Sequence, residues 1–354
     1  MSIGQLSEES IELLKSLIKT PSLSGKEEDA AAIIRNFLSS HNIPYQTLMN
    51  NTWCLNKYWD KLKPVILLNS HIDTVKPVDG WTLNPFEATE IDGKIIGLGS
   101  NDAGASLVSL LAVFIYFFER EDLPYNLIYS ATAEEESSGP NGIIKVIKEI
   151  ERVDFAIVGE PTQMRLAVAE KGLVVINCVA KGKAGHAARN EGINSIYLAM
   201  KDIEKIQNLK LEKVSALLGE VKMTVTQIEA GFQHNVIPDI CKFVVDIRTN
   251  ELYSNEEVVS ILSSIIGSEV MPRSLNLNSS GIAPDHPFVV KVKNLGIECF
   301  GSPTLSDQSR MCFPSVKIGP GDSARSHTAN EFIYPEEIKN GIKVYTELLD
   351  GLIL

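Results

Sequence analysis

The sequence predicts an α/β protein, a mostly parallel sheet domain interrupted by an inserted α+β sandwich. Three observations predict it. Up to about residue 170, short apolar runs alternate with helical stripes, as in a parallel sheet with crossover helices. At 172–181, 221–229 and 241–249, apolar and polar residues alternate as in antiparallel strands. After about 281 the first style returns. The expected domains are therefore 1–170 with 281–354, and an inserted 171–280.

The elements follow in order. Ser7 is expected to cap a first helix with the stripe Ile11, Leu14, Ile18, ended by Thr20-Pro21-Ser22. Ser24 and Glu27 have the spacing of a capping box for a second helix, its inner face Ile33, Ile34, Phe37 and Leu38. A strand is expected near 52–58. Val65-Ile66-Leu67-Leu68, bounded by Pro64, reads as a strand buried on both faces. A Gly-flanked turn, 97–104, precedes an apolar helix over 105–118. A buried strand over 126–132 runs into Glu134-Glu135-Glu136. A short helix, 141–150, leads to a strand at 155–158 that ends in Gly159-Glu160-Pro161. In the insert, strands are expected at 172–181, 221–229 and 241–249, with helices at 193–208 and 255–267. A helix at 287–295, a strand at 315–318, the loop 319–321 and a helix from Pro335 close the chain.

Composition narrows the function. The chain has 354 residues and a net charge of −12. No basic surplus exists to neutralise phosphates, which argues against nucleic acid as a partner. The N-terminus is polar and acidic, unlike a signal peptide. The apolar run Leu107–Phe118 is too short to span a bilayer, so no membrane partner is expected. The five cysteines are scattered without a CxxC pair, which fits a reducing, cytoplasmic setting and argues against a thiolate metal site.

Polar clusters stand where the apolar strands end: His71 and Asp73, Glu134–Glu136, Glu160, and His327 after the 315–318 strand. Asp102 sits in the turn before the apolar helix. Ligands of open α/β sheets bind beyond the carboxyl ends of the strands. Two histidines with several carboxylates and no cysteine suit zinc, cobalt or manganese. Period two puts His71 and Asp73 on one side of the backbone. Asp73 is placed to hold the second ring nitrogen of a metal-binding His71.

The ordered set SHIDTV, the Asp102 turn, TAEEESSG, GEPT, AGHAA, NVIPD, DIR and GPGDSARSH resembles the acetylornithine deacetylase/succinyl-diaminopimelate desuccinylase/carboxypeptidase G-like metallohydrolases. The resemblance covers nearly the whole chain and is strongest to acetylornithine deacetylases. It implies a catalytic domain carrying two divalent metals, zinc first, and an inserted dimerisation or lid domain. His71 and Glu160 would bind one metal, His327 and Glu136 the other, and Asp102 would bridge them. Glu135 would be the general base. Thr132-Ala133 aligns with the family's Thr-Ala-Asp-Glu-Glu, which favours that register over its neighbours and puts Glu134 at the Asp position. The family's Lys soon after the bridging aspartate is missing from Asp102-Ala103-Gly104. His186 would assist the oxyanion, from the neighbouring subunit of a homodimer. Arg248 and Asn235 would bind the substrate, with Gly319–Gly321 bringing backbone close to it. The implied reaction is hydrolysis of N2-acetylornithine to ornithine and acetate in arginine biosynthesis. N-succinylornithine, N-acetylcitrulline, succinyl-diaminopimelate and dipeptides are the alternatives. A non-catalytic binding protein is a more distant one. A succinyl group would call for a further cation, with Arg189, Arg310 and Arg325 as candidates.

Overall fold

The computed structural model describes residues 1–189 and 191–354. The chain forms two compact units, 1–168 with 282–300 and 306–354, and 169–281 with 301–305.

The first unit is built on a mixed sheet. Its centre is four parallel strands in the order Asn126–Thr132, Val65–His71, Phe155–Val158, Ser315–Lys317. Antiparallel strands flank them, Asn51–Leu55 on one side and Leu166–Glu170 on the other. The apolar run Val65–Leu68 shows why the centre is parallel. Ile66 and Leu68 pack into the main core, and Val65 and Leu67 into a second cluster with Trp53, Ile128 and Val146. A strand covered on both faces needs apolar residues at every position. The helices Ile3–Ile18, Ala105–Phe117 and Pro335–Leu349 pack together in the main core.

Several local expectations are corrected. The first helix starts at Ile3 and is capped by Ser2, whose hydroxyl accepts from the Gln5 N–H; Ser7 instead donates to the Ile3 carbonyl inside the helix. The second helix, Glu28–Ser40, has no side-chain cap. Ser24 donates to Asp73 at 2.6 Å, and Glu27 accepts from Gly25 and Asn50, so the capping-box spacing serves other contacts. The apolar helix extends backward through a wide turn at Ser100–Gly104, so 100–117 reaches the length and hydropathy of a membrane span. However, 78% of that segment is buried inside the protein, as in a core helix.

The second unit is a four-stranded antiparallel sheet in the order Lys222–Ala230, Ile240–Thr249, Gly172–Lys181, Glu269–Pro272. Val174, Ile176, Cys178 and Ala180 alternate inward and meet Phe243, Val245 and Ile247. The helices Ser195–Asn208 and Asn255–Ile265 cover that face through Ala199, Ile206, Val258 and Leu262. All five cysteines are free thiols.

Candidate metal centre

The central strands deliver their polar ends to one place. His71 is the last residue of its strand and is 2% exposed. Its Nδ1 lies 2.9 Å from the Asp73 carbonyl and 3.4 Å from the Asp73 carboxylate. Its Nε2 lies 3.4 Å from Asp102 Oδ1 and 3.7 Å from Glu160 Oε1, and it has no hydrogen-bond partner. The other Asp102 oxygen, Oδ2, lies 3.7 Å from His327 Nε2. His327 Nε2 in turn lies 3.0 Å from Glu136 Oε2. One carboxylate thus turns its two oxygens toward two histidines, and each histidine has a further carboxylate beside it.

Asp73 organises more than His71. It accepts the backbone N–H of Glu135 at 3.0 Å and that of Glu136 at 3.1 Å, besides the Ser24 hydroxyl. A single buried carboxylate therefore sets the imidazole and the start of the acidic loop together.

The register of the three glutamates is visible in their contacts. Glu134 accepts from the Asn141 backbone N–H and side-chain amide, both at 2.9 Å, and so closes its own loop. Gly139 permits this, since a Cβ there would lie 2.1 Å from the Glu134 carboxylate. Glu135 and Glu136 are the two whose oxygens come within ligand distance of His71. His71, Asp102 and Glu136 form one group with ligand atoms within 4.8 Å of each other, and His71, Glu135 and Glu160 another.

Charge crowding shifts the acids and bases of the site. Burial lowers the His71 imidazole, but Asp102 and Asp73 outweigh it and hold it well above the ordinary histidine range. Burial raises Asp73 and Asp102, yet His71 beside them brings both below the ordinary carboxylate value. Desolvation pushes Glu135 well up, and desolvation with the Asp102 charge pushes Glu160 to about 8. The Glu136 contact raises His327 to about 9. Glu135 and Glu160 pushed toward their neutral forms beside an imidazole nitrogen without a partner suit a centre that binds a cation. The donor set fits a divalent metal.

Two further acids stand at this centre that the sequence reading did not single out. Glu331 is 2% exposed and accepts backbone N–H groups from Gly99, Asn101 and Asp102 at 3.2, 2.8 and 2.9 Å. It holds the Asp102 turn where the family's lysine is missing. Burial and the Asp102 charge raise it to about 8. Asp307 accepts from Asn69 at 2.8 Å and Thr132 at 3.1 Å, and burial raises it to about 6. Glu331 stands four residues after His327 and could have been suspected. Asp307 lies in SDQSR, off any periodic stripe.

Glu331 yields a prediction. Its folded value of about 8 exceeds its unfolded value near 4.5, so it favours folding at low pH and loses that contribution as pH rises through 8. In the metal-free chain, Glu331→Gln is expected to flatten the fall in stability between pH 5 and 8. The change is up to about 1.4 kcal/mol per pH unit, one proton's worth. Urea midpoints across that range check it, and an unchanged slope would refute it.

The Gly319–Gly321 loop serves the protein rather than open space. A Cβ on Gly319 would lie 2.5 Å from the Glu160 carbonyl, and one on Gly321 2.4 Å from Asn101 Oδ1. Close approach is needed here, but to the backbone of a ligand candidate and to the neighbour of Asp102.

His186, Asn235 and Arg248 belong to the second unit. His186 is exposed on a short strand opposite Val236, and its Nδ1 accepts from the Ala188 N–H at 3.1 Å. Asn235 Oδ1 is buried without a partner. Arg248 forms a two-bond pair with Asp246, at 2.8 and 3.1 Å. Of the three further cations, Arg325 pairs with Glu337 at 2.7 Å and Arg189 lies 3.8 Å from Glu191. Arg310 donates to the Ser138 carbonyl at 2.6 Å, and among the described residues it has no ion pair.

A thiol-free set of histidines and carboxylates at the carboxyl ends of parallel strands is the centre of a metallohydrolase. The description of Peptidase family M20/M25/M40 matches residues 67–351, and the chain belongs to that family of metal-dependent hydrolases. It is 26% identical over 344 residues to a succinyl-diaminopimelate desuccinylase of Orientia tsutsugamushi (strain Boryong), covering 92% of this chain and 85% of the relative. It is also 26% identical over 370 residues to an acetylornithine deacetylase of Buchnera aphidicola subsp. Schizaphis graminum, covering 96% and 97%. Its fold is similar to that of the Bacillus subtilis YXEP protein, a dinuclear metal-binding peptidase of the M20 family. There the TM-score is 0.75 at 18% identity, with 98% of each chain covered.

Proposed function

We propose that this chain is a dinuclear metal-dependent deacylase that hydrolyses the amide of an N-acyl amino acid, with N2-acetylornithine as substrate in arginine biosynthesis. The observation that carries the dinuclear reading is Asp102, with Oδ1 3.4 Å from His71 and Oδ2 3.7 Å from His327. His71 and Glu160 would hold one ion, His327 and Glu136 the other, and Asp102 both. When bound, two zinc ions would polarise the amide carbonyl and acidify the attacking water.

The chain's own groups do the rest. Glu135 takes the proton of the attacking water and returns it to the leaving nitrogen, so that water and amide become a carboxylic acid and a free amino group. Asp73 fixes the His71 ring through Nδ1 and the Glu135 backbone through its N–H. His186 donates to the oxygen that gains charge in the transition state. Arg248 supplies the cation for the α-carboxylate, exchanging Asp246 for substrate, and Asn235, whose Oδ1 is buried without a partner, is a polar partner for the substrate.

A second reading, hydrolysis of N-succinyl-diaminopimelate, is favoured by the name of the Orientia relative. The zinc- or cobalt-loaded protein is assayed for amine release from N-acetylornithine, N-acetylcitrulline, N-succinylornithine, N-succinyl-diaminopimelate and several dipeptides. Turnover of acetylornithine, abolished by a chelator, is expected. Turnover of succinyl-diaminopimelate alone would install the second reading, and turnover of dipeptides alone would move the chain to the peptidases.

The reading includes a homodimer through the second unit. The strand Lys222–Ala230 is an edge, and its residues are largely exposed. Exposed edges need covering. Ile228 on that strand is 55% exposed, and Tyr197 and Met200 on the Ser195–Asn208 helix are 64% and 58% exposed. Light scattering is expected to give twice the mass of one chain. A fully active monomer would remove both the dimer and the cross-subunit role of His186.

A further inference from the structure

We infer that Asp307 is a positioning residue of the metal centre, a fixed buried negative charge that ties together the two strand ends carrying the ligands and tightens metal binding. The inference rests on the metal site proposed above.

The connections are short. Asp307 Oδ2 accepts from Asn69 Nδ2 at 2.8 Å and from Thr132 Oγ1 at 3.1 Å. Asn69 lies two residues before His71 on the same side of the strand. Thr132 is the register partner of His71 on the neighbouring strand and lies three residues before Glu135. Asn69 Oδ1 in turn accepts from Ser130 at 2.6 Å. One carboxylate thus binds the strand that ends in His71 to the strand that leads into Glu135 and Glu136.

A purely structural account leaves the charge unexplained. Asp307 is 6% exposed, and its hydrogen bonds come from two neutral side chains, Asn69 and Thr132. Among the described residues, no lysine, arginine or histidine lies within ion-pair distance of it. His71 and Arg310 act on it only from beyond ion-pair distance. A buried carboxylate without an ion pair opposes folding, and an asparagine would accept the same two hydrogen bonds at less cost. The charge has a use only where a cation arrives. Groups just behind metal ligands, when removed, weaken binding by about 10- to 100-fold.

The charge and the scaffold predict opposite signs. Asp307→Asn keeps an acceptor oxygen and removes the charge. In the full-length chain, its metal-free urea midpoint is expected to rise. Its affinity for zinc alone, measured by chelator competition, is expected to fall about tenfold or more. Thr132→Val removes one bond and keeps the charge, so its midpoint falls while its zinc affinity stays within about threefold of wild type. Should Asp307→Asn not fold, Asp307→Ser removes the charge with less side chain to place and is read the same way. Zinc affinity unchanged in the charge variant would overturn the inference. So would a fall in both midpoint and affinity, or failure of both variants to fold, since each makes Asp307 scaffold alone. A wild-type chain that binds no zinc would instead sink the metal site itself.

Discussion

Glu135→Gln is expected to lower kcat by about 10²- to 10⁴-fold, the usual range for removing a positioned general base. KM should change little, because the amide is nearly isosteric and the Glu135 N–H bond to Asp73 belongs to the backbone. Desolvation already pushes the Glu135 carboxyl toward its neutral form. The uncharged side chain therefore costs the fold nothing and should raise the metal-free melting temperature. The informative readout is metal content. His71, Glu135 and Glu160 form a group within ligand distance, so Glu135 could serve as a ligand rather than a base. A base variant loses turnover and keeps both ions. A ligand variant loses an ion together with turnover. Full turnover in Glu135→Gln would remove Glu135 from the chemistry altogether.

This ambiguity marks where the sequence stops being legible. The elements buried on both faces could be read closely, because a continuous apolar run has few alternatives. The strands at 126–132 and 155–158 occupy the expected residues. His71 and Glu160 stood out for a related reason: each lies at the end of such a run, and carboxyl ends of parallel strands converge, whereas Asp102 and His327 lie in turns that only the resemblance marks. The supporting residues were not readable, because their contacts are distant in sequence. Asp307 meets Asn69 across 238 positions, Glu331 meets the Asn101 N–H across 230, and Ser24 meets Asp73 across 49. Local spacing even misled at Ser24, whose distance to Glu27 mimics a cap that the helix does not use. The Glu134 register needed the Asn141 contact to be seen. The edges of the sheet were also poorly foreseen. Strands such as Glu269–Pro272 are short and half exposed, and carry little apolar signal.

Asp102→Ala is expected to cost turnover and metal binding together. Its oxygens face His71 at 3.4 Å and His327 at 3.7 Å, so its loss unlinks both halves of the site at once. If two ions together supply several kcal/mol of transition-state stabilisation, roughly 4 kcal/mol lost corresponds to about three decades in kcat. Removal of metal by a chelator should reproduce that loss in the wild type, and restoring zinc should reverse it there but not in the variant. Asp73→Asn offers the contrast. Asp73 acts on His71 through Nδ1, with its backbone carbonyl at 2.9 Å untouched by the substitution. It should therefore cost only about 10- to 100-fold. Stability separates the two kinds of loss again. Despite its burial, His71 holds the Asp102 carboxyl below its ordinary value, so the fold favours that charge and its removal should lower the melting temperature of the metal-free chain. Wild type should regain its stability with zinc, by about 2.7 kcal/mol at a hundredfold excess over Kd, and the variant should gain far less. An Asp102→Ala protein that still bound two ions and turned over within tenfold of wild type would mean that the two histidines do not share a bridging carboxylate.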